Sequence, residues 1–507
     1  MERRGVMQNC EGSLKSRRPV HQPIAERPDR MEEACGVYAV LAADQPVANL
    51  TYFGLYSLQH RGQESAGIAV FNQGKVRLHK DMGLVSQVFD QDVLARMPGD
   101  LAIGHNRYST TGSSKVCNAQ PVVLMTRLGP FALAHNGNLV NAAELRQKLD
   151  DGQTEFTSTT DSELIAFAIQ QAVNRGLDWK PAITEAASLC RGAFSLVIGT
   201  ATELYGLRDS YGVRPLVFGR LGEAESGHWV VSSETCGLDI IGASFEGDVQ
   251  PGELITFRLG ETQPIREQWA EPSTRMCVFE MIYFARPDSR FFGESLYSYR
   301  QRIGQVLARE SAVEADLVIG VPDSGIPAAI GFSQASGITF ADGLIKNRYV
   351  GRTFIQPTQA MREAGIRVKL NPLPDVLAGK RVVVIDDSIV RGTTSRKLVQ
   401  ALRDAGATEV HMRISSPPVT HPCFYGIDTD TQDQLIAARL TVKEIEEHLK
   451  VDSLAYLSKE GMVEAAHASS EHFCTACFDG AYPIPMDEAV RSSKLMLEPS
   501  GVAAAKS

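Results

Sequence analysis

The chain has 507 residues, more than one ordinary hydrophobic core accommodates, so two domains are expected. Its apolar share of 43%, charged share of 22% and net charge of −9 are typical of a soluble globular protein and exclude a strongly basic binder of duplex DNA. No apolar run reaches the roughly 20 residues of a membrane-spanning helix. Nine cysteines without a secretory signal predict reduced thiols and a cytoplasmic location.

Residues 1–34 form a basic head that contains prolines and ends where the first apolar run begins, at Cys35. The head lacks the apolar centre of a secretory signal. Several acidic residues dilute the positive charge that a transit peptide needs, so a transit peptide into a plastid stroma is only weakly supported by this sequence.

The next part of the chain, from Cys35 to about Phe257, alternates short apolar runs with Gly and Asn. The runs CGVYAVLA, AGIAVFN, LAIGHNRYS, FALAHNG and FSLVIGT predict strands, and AELRQKLDD and DSELIAFAIQQAV predict helices. This pattern indicates a layered, strand-rich domain. A polar stretch at about residues 266–273 is the expected boundary.

After that boundary the rhythm changes. A predicted helix, YSYRQRIGQVLARESAVEA, precedes a buried strand, DLVIGV; two more apolar strands, RVVVID and EVHMRISSPP, flank the predicted helix SRKLVQALRDAGA. Apolar strands that alternate with helices indicate a parallel sheet. From about residue 432 onward we expect a helical tail that contains the sequence CTAC.

The most specific stretch is RVVVIDDSIVRGTTSRK, residues 381–397. Two carboxylates follow the strand, and hydroxyls and a glycine precede a helix N-terminus, where unpaired N–H groups and the helix dipole favour anions. Adjacent carboxylates suit sugar hydroxyls and a hydrated Mg²⁺. A capped turn with solvated carboxylates is the alternative. The stretch resembles the 5-phosphoribosyl-1-pyrophosphate (PRPP) loop of type I phosphoribosyltransferases, which implies PRPP contacts from Asp386, Asp387, Ser388, Arg391, Gly392, Thr393, Thr394 and Ser395.

Two further stretches support this interpretation. VIGVPDSGIPAA resembles its pyrophosphate loop, which implies PRPP contacts from Asp323, Ser324 and Gly325 and a Mg²⁺ site near Ser324, Asp386 and Asp387. Between the two loops, KNRYVGRTFIQP places Lys346, Arg348 and Arg352 among Gly and aromatic residues, and a mobile lid that closes over pyrophosphate would need such charges. Taken alone, these stretches also fit a β-turn and a solvated basic loop.

In the first half, CGVYAV, LQHRGQESAGIAV, GHNRYSTTG, AHNGNL and STTDSE resemble the glutaminase domain of N-terminal-nucleophile amidotransferases. Together with the second half, the span from Cys35 to about Pro483 resembles the amidophosphoribosyltransferase family, in its Bacillus-type branch. The resemblance implies an α/β and α+β fold: a propeptide at 1–34, an αββα sandwich at 35–265, a type I phosphoribosyltransferase domain with a parallel sheet at 274–450, and a helical tail at 451–507.

The resemblance also implies roles for the glutaminase residues. Cys35 becomes the N-terminal nucleophile once the head is removed, and its α-amino group, with an ordinary pKa of about 7.7–8.0, serves as the base. Asn136 and Gly137 form the oxyanion hole, while Arg107, Thr110 and Asp161 bind glutamine. Taken singly, these residues also fit a buried cysteine, an Asn-Gly turn and a helix N-cap.

Four separated cysteines occupy the positions of the cluster ligands in that branch: Cys277, Cys423, Cys474 and Cys477. The resemblance implies a [4Fe–4S] cluster, although four thiolates suit Zn²⁺ equally well. Cys236 is the main competing ligand. We interpret it, with Cys10, Cys117 and Cys190, as a non-ligand.

The function implied is hydrolysis of glutamine and transfer of its ammonia, through a passage between the sites, to C1 of PRPP. This gives 5-phosphoribosylamine, glutamate and pyrophosphate and begins purine nucleotide synthesis. Mg²⁺, a homotetramer or homodimer, and purine nucleotide inhibitors are implied by the same resemblance. The alternative is a PRPP-sensing regulator with a vestigial glutaminase domain. An amidotransferase of the glucosamine-phosphate synthase type would need a sugar-isomerase half, which the sequence does not show.

Overall fold

The computed structural model describes residues 35–108, 113–152, 154–347, 370–427, 429, 431–486 and 497. None of the helices in these ranges has both the length and the apolar character needed to cross a bilayer.

The first half is built from antiparallel strands flanked by helices. Its strands are β1 (Gly36–Leu41), β2 (Ser65–Asn72), β3 (Lys75–Met82), β4 (Leu101–Arg107), β5 (Val122–Thr126), β6 (Gly129–Leu139), β7 (Gly192–Gly199), β8 (Glu203–Arg208), β9 (Val217–Arg220), β10 (Trp229–Ser232), β11 (Ser244–Asp248), β12 (Glu253–Arg258) and β13 (Ile265–Gln268). Its helices are α1 (Val47–Ser57), α2 (Val85–Val88), α3 (Gln91–Ala95), α4 (Ala142–Leu149), α5 (Asp161–Asn174), α6 (Trp179–Leu189) and α7 (Cys236–Asp239), with single 3₁₀ turns at Val116–Asn118 and Ala224–Ser226.

These strands form two stacked sheets, of order β11-β9-β10-β1-β4-β2-β3 and β13-β12-β8-β7-β6-β5. Side-chain alternation in β1 explains the layering, because successive residues of a strand point to opposite faces. Val37 and Ala39 join the apolar layer between the sheets, whereas Tyr38 and Val40 join the layer under α1. Helices α4, α5 and α6 cover the other sheet in the same way. The predicted αββα sandwich is confirmed.

The second half contains a parallel sheet and several small strand pairs. Its strands are β14 (Met276–Cys277), β15 (Arg290–Phe291), β16 (Glu294–Ser295), β17 (Leu317–Gly320), β18 (Leu344–Lys346), β19 (Leu370–Pro372), β20 (Arg381–Asp386), β21 (Glu409–Ile414), β22 (Ser453–Tyr456) and β23 (Phe473–Cys474). Its helices are α8 (Leu296–Glu310), α9 (Ile326–Ser336), α10 (Pro374–Leu377), α11 (Thr393–Asp404), α12 (Ile436–Arg439), α13 (Val442–Leu449), α14 (Lys459–Ala466) and α15 (Ala476–Asp479), with a π-helical turn at Glu280–Phe284 and 3₁₀ turns at Gln432–Gln434 and Ser470–His472.

The parallel sheet has the order β17-β20-β21-β22, and both of its faces are covered. Val383 and Ile385 of β20 pack with α8 and α9, while Val382 and Val384 pack with α11 and α13. Burial on both faces explains why RVVVID is continuously apolar. The predicted parallel sheet is confirmed.

Two predicted elements differ from the structure. The helix expected to run to residue 315 ends at Glu310, because Val313 and Ala315 pack against the core from an extended connection. The region from residue 451, expected to be helical, contains β22, which extends the parallel sheet beside β21, and β23, which pairs with β14. In both cases pairing and packing with distant residues override the local pattern.

A buried network of charges joins the two halves. Arg61 donates to Glu280 at 2.5 Å and also contacts Glu234, and Arg214 donates to the other oxygen of Glu280 at 2.9 Å. All four side chains are almost completely buried. A buried charge is costly unless it is paired, so this balanced set fixes the halves against one another.

Candidate functional site

A small pocket opens at the N-terminal end of β1. The residues that line it are Cys35, Arg107, Tyr108, Gln120, His135, Gly137, Thr160, Asp161 and Ser162. The pocket therefore brings together four residues predicted from separate motifs. They meet because β1 pairs with β4, which ends at Arg107, while β6 and the start of α5 form the facing wall.

The Cys35 thiol lies just before β1 and donates to the carbonyl oxygen of Tyr108 at 3.4 Å. Burial raises the pKa of this thiol to about 12, although the nearby Arg107 acts in the opposite direction. The sulfur is therefore protonated near neutral pH in the intact chain. A nucleophilic role requires a neighbouring base that takes the proton as the sulfur attacks.

Opposite charges lie on the walls of this pocket. The Arg107 guanidinium is held by Glu64 at 3.1 Å and by the carbonyl oxygen of Ser113 at 3.3 Å. Asp161 is 4% exposed, and its Oδ2 accepts from the N–H of Leu139 at 2.9 Å. A guanidinium and a carboxylate on one pocket match the α-carboxylate and α-ammonium groups of an amino acid.

The suggestion that Asp161 caps its helix is wrong. Thr160 occupies the N-cap position of α5, without a side-chain cap bond, and Asp161 is the first helical residue. Its carboxylate is used instead to hold β6 through Leu139.

Asn136 and Gly137 are consecutive residues of β6; Gly137 lines the same pocket as Cys35, whereas Asn136 is not among the residues that line it. Asn136 is fully buried, and neither its amide nitrogen nor its amide oxygen has a hydrogen-bond partner among the described residues. A buried amide without partners is costly and calls for a ligand. Gly137 has φ +151°, and a β carbon there would lie 1.9 Å from the carbonyl oxygen of Ala193, so only glycine fits. The pair is suited to stabilising an oxyanion.

Some residues of this pocket were missed by sequence reasoning, and one predicted residue lies outside the described residues. Gln120 accepts from the N–H of His135 at 2.8 Å, and His135 contacts Ser162 at 3.1 Å. Burial lowers the pKa of His135, so its ring is neutral. His135 and Ser162 lie within the motifs AHNGNL and STTDSE, which was an available signal, whereas Gln120 lies in none of the motifs. Thr110 is the predicted residue that is not described.

A second site forms where two neighbouring parallel strands, β17 and β20, end. The Ser324 hydroxyl donates to Oδ2 of Asp387 at 2.5 Å, and the Ser388 hydroxyl donates to Oδ1 at 2.7 Å. The N–H of Val321 donates to the carbonyl oxygen of Ile385 at 2.9 Å. The two predicted loops are thus joined at the carboxyl edge of the sheet, where ligands bind in open α/β folds.

The remaining predicted contacts surround this edge. Helix α11 begins at Thr393, so Thr393, Thr394 and Ser395 form its first turn, which follows Arg391 and Gly392. Gly325 immediately precedes α9, whose N-terminus faces the same edge. The Lys346 ammonium pairs with Asp323 at 2.5 Å. Two helix N-termini at one edge can bind phosphate at both ends of a ligand. Arg348 and Arg352 lie outside the described residues.

The donor set of this edge fits Mg²⁺. Asp386 and Asp387 are 7% and 2% exposed, and with Ser324 they supply oxygen donors, which Mg²⁺ prefers. Because serine hydroxyls already engage Asp387, the set suits a hydrated ion.

The four predicted ligand cysteines share one apolar cluster with Tyr425 and Ile484. Cys277 and Cys474 are register partners in the β14–β23 pair, Cys477 lies in α15, and Cys423 follows β21; all four are free thiols. Among the residues described, no group of three or more His, Cys, Asp or Glu side chains is placed to hold a metal ion. Four cysteine thiols are the ligand set of a [4Fe–4S] cluster, in which each sulfur binds a different iron atom.

Comparison with known proteins agrees with both halves. Residues 105–239 match the glutamine amidotransferase domain, and residues 302–415 match the phosphoribosyl transferase domain. An amidophosphoribosyltransferase of Synechococcus elongatus is 68% identical over 93% of this chain and 96% of its own length. The corresponding values for that of Bacillus subtilis are 46%, 89% and 94%.

Two solved structures share the whole architecture at 45% identity. One is the allosteric regulatory enzyme of purine biosynthesis, with a TM-score of 0.85 and coverage of 90% of this chain and 97% of that one. The other is B. subtilis glutamine PRPP amidotransferase complexed with ADP and GMP, with a TM-score of 0.84 and coverage of 90% and 98%. By its two domains and by identity along nearly its full length, the chain belongs to the amidophosphoribosyltransferase family.

Proposed function

We propose that this chain performs its family's reaction with the two sites described above. It is a glutamine-dependent pentosyltransferase that converts PRPP to 5-phosphoribosylamine in the first step of purine biosynthesis. The observation that carries the residue assignment is the convergence of Cys35, Arg107, Gly137 and Asp161 on one pocket. A PRPP-sensing regulator would not need these residues in one pocket, so that alternative is not favoured.

In the glutaminase site, Arg107 and Asp161 hold the α-carboxylate and α-ammonium groups of glutamine, assisted by Thr110. The Cys35 sulfur attacks the amide carbon while the freed α-amino group of the same residue takes the thiol proton. Asn136 and the N–H of Gly137 stabilise the oxyanion. The proton then passes to the leaving nitrogen, ammonia departs, and water hydrolyses the thioester to glutamate.

In the transferase site, the first turn of α11 and Ser388 hold the 5-phosphate, and Asp386 and Asp387 hold the ribose hydroxyls. The Asp323–Gly325 loop, with Lys346, Arg348 and Arg352, holds the pyrophosphate. Ser324, Asp386 and Asp387 would hold Mg²⁺, which when bound would supply positive charge against the leaving pyrophosphate. Ammonia from the first site bonds to C1 as the C1–pyrophosphate bond breaks, and loop closure keeps water out.

Residues 35–265 form the glutaminase domain, 274–450 the phosphoribosyltransferase domain and 451–507 the tail; residues 1–34 are a propeptide. The propeptide assignment is supported by the chemistry, because the nitrogen of Cys35 is not basic while it is part of an amide bond. Mass spectrometry of the fully active protein should therefore find Cys35 as the first residue. Active protein that retains Met1 or Met31 would contradict the assignment.

The cysteines Cys277, Cys423, Cys474 and Cys477 hold a [4Fe–4S] cluster that ties the domains and the tail together. The intact protein should contain about four iron and four sulfide ions per chain. Cys474→Ser is expected to lose most of both, as measured by metal and acid-labile sulfide analysis. Cys236→Ser, a matched control at a buried thiol in another core, should keep them. Zinc in place of iron, or iron loss in the control, would refute the cluster assignment.

Regulation and assembly complete the proposal. A solved relative was complexed with ADP and GMP, which supports purine nucleotides as inhibitors that bind at or near the PRPP site. We assign a cytoplasmic homotetramer, with a homodimer as the alternative, in a compartment that keeps the cluster thiols reduced.

A further inference from the structure

A segment of the second half, Cys423–Ile427, packs against the strand that carries the oxyanion residues. The Asn138 side chain, in β6, donates to the carbonyl oxygen of Phe424 at 2.9 Å. Gly426 has φ +106°, and a β carbon there would lie 3.0 Å from the carbonyl carbon of Gly137. An added side chain at Gly426 would therefore press on the Gly137 backbone, which would have to shift by a few tenths of an ångström.

This contact lies along the part of β6 that does not pair with β5. Strand β5 pairs with β6 only as far as Leu133, whereas β7 continues beside Asn136 and Gly137. Beyond Leu133, the strand pairing that holds β6 comes from β7 alone among the described residues. The segment from the second half supplies a further contact at the residues whose position matters most for an oxyanion.

The far side of the segment is fixed by buried groups. The Arg214 Nε donates to the carbonyl oxygen of Tyr425 at 3.0 Å, while its Nη1 is held by Glu280. The Tyr425 hydroxyl donates to the carbonyl oxygen of Ile484 at 2.9 Å. The backbone N–H of Tyr425 donates to the Cys423 sulfur at 3.4 Å. A segment held at these points cannot easily retreat from β6.

We propose that Cys423–Ile427 is a positioning element for the oxyanion hole and that Gly426 is its contact residue. This assignment rests on the proposed roles of Asn136 and Gly137. A donor must lie within a few tenths of an ångström of its ideal place to stabilise the transition state, so backbone contact from behind controls the rate rather than the binding of glutamine. Glutamine turnover then depends on a residue of the other domain.

The test is Gly426→Ala in the full-length protein with its cluster. We expect kcat for glutamine hydrolysis to fall about 10- to 100-fold, with KM for glutamine unchanged. Synthesis of 5-phosphoribosylamine from PRPP and added ammonium should stay unchanged, and so should iron content. Gly337→Ala is the matched control, because Gly337 also has a positive φ, +75°, but an added β carbon meets nothing. This control should keep both activities.

A second variant covers failure of Gly426→Ala to fold. Arg214→Lys keeps a positive charge beside Glu280 but loses the Nε donor to Tyr425, and a smaller fall in the same kcat is expected. Unchanged glutamine hydrolysis in a folded variant, or an equal loss of ammonium-driven synthesis, would overturn the proposal. If Cys35→Ala abolishes glutamine hydrolysis while Gly426→Ala spares it, only this inference fails. If Cys35→Ala retains glutamine hydrolysis, the proposed function fails as well.

Discussion

Cys35→Ala is expected to lower glutamine-dependent synthesis of 5-phosphoribosylamine by at least about 10⁴-fold, because removal of a nucleophile leaves only binding and oxyanion stabilisation. Cys35→Ser should be nearly as inactive, because an alcohol loses its proton far less readily than a thiol. The measurement is pyrophosphate release from PRPP with glutamine as the nitrogen donor.

The ammonium-driven reaction is the control for this prediction. Ammonia added to the solution can reach the second site without the first, so both variants should retain that reaction at the rate of the unmodified protein. Loss of both reactions would indicate a fold or assembly role for Cys35 rather than nucleophilic attack. Full glutamine-dependent activity in the alanine variant would contradict the assignment outright. The N-terminal mass of each variant should be recorded, since incomplete removal of the head would by itself lower glutamine-dependent activity.

The core layers and the position of the two loops at the ends of strands could be predicted from the sequence because local patterns determine them. Alternation in CGVYAV places successive side chains on opposite faces, and the unbroken apolar run RVVVID requires a sheet covered on both sides. The adjacent residues Asp386 and Asp387 lie at the end of that strand because they follow it directly in the sequence. A site built from a strand end and the next helix N-terminus is therefore readable from one short stretch.

Contacts between distant stretches could not be predicted in this way. The Gly426–Gly137 contact, the Arg61–Glu280 pair and the position of β22 each depend on how separate elements pack. The sequence around a glycine or an arginine does not identify the distant residue that it contacts. Burial of the Asn136 amide, which has no partner in the described part of the chain, is likewise visible only once the surrounding strands are in place.

Asp387→Asn is expected to lower synthesis of 5-phosphoribosylamine by about 10²–10³-fold with either glutamine or ammonium, because both reactions need PRPP. The change keeps the size of the side chain but removes the charge and one of the two acceptors that Ser324 and Ser388 now share. Its KM for PRPP should rise. Steady-state rates with both nitrogen donors, across a range of PRPP and Mg²⁺ concentrations, provide the measurement.

The matched control for this change lies at the opposite end of the same strands. Asp316 precedes β17, where its carboxylate pairs with Arg381 of β20 at 3.0 Å, far along the sheet from the phosphate loops. Asp316→Asn should therefore leave both reactions intact, since an exposed ion pair contributes only about 0–1 kcal/mol to stability. Glutamine hydrolysis without PRPP should be equal in both variants. If Asp387→Asn and Asp316→Asn lose synthesis equally, the effect of Asp387→Asn arises from weakening of the sheet. If the loss is confined to Asp387→Asn and its unfolding temperature is unchanged, the Asp387 carboxylate acts at bound PRPP.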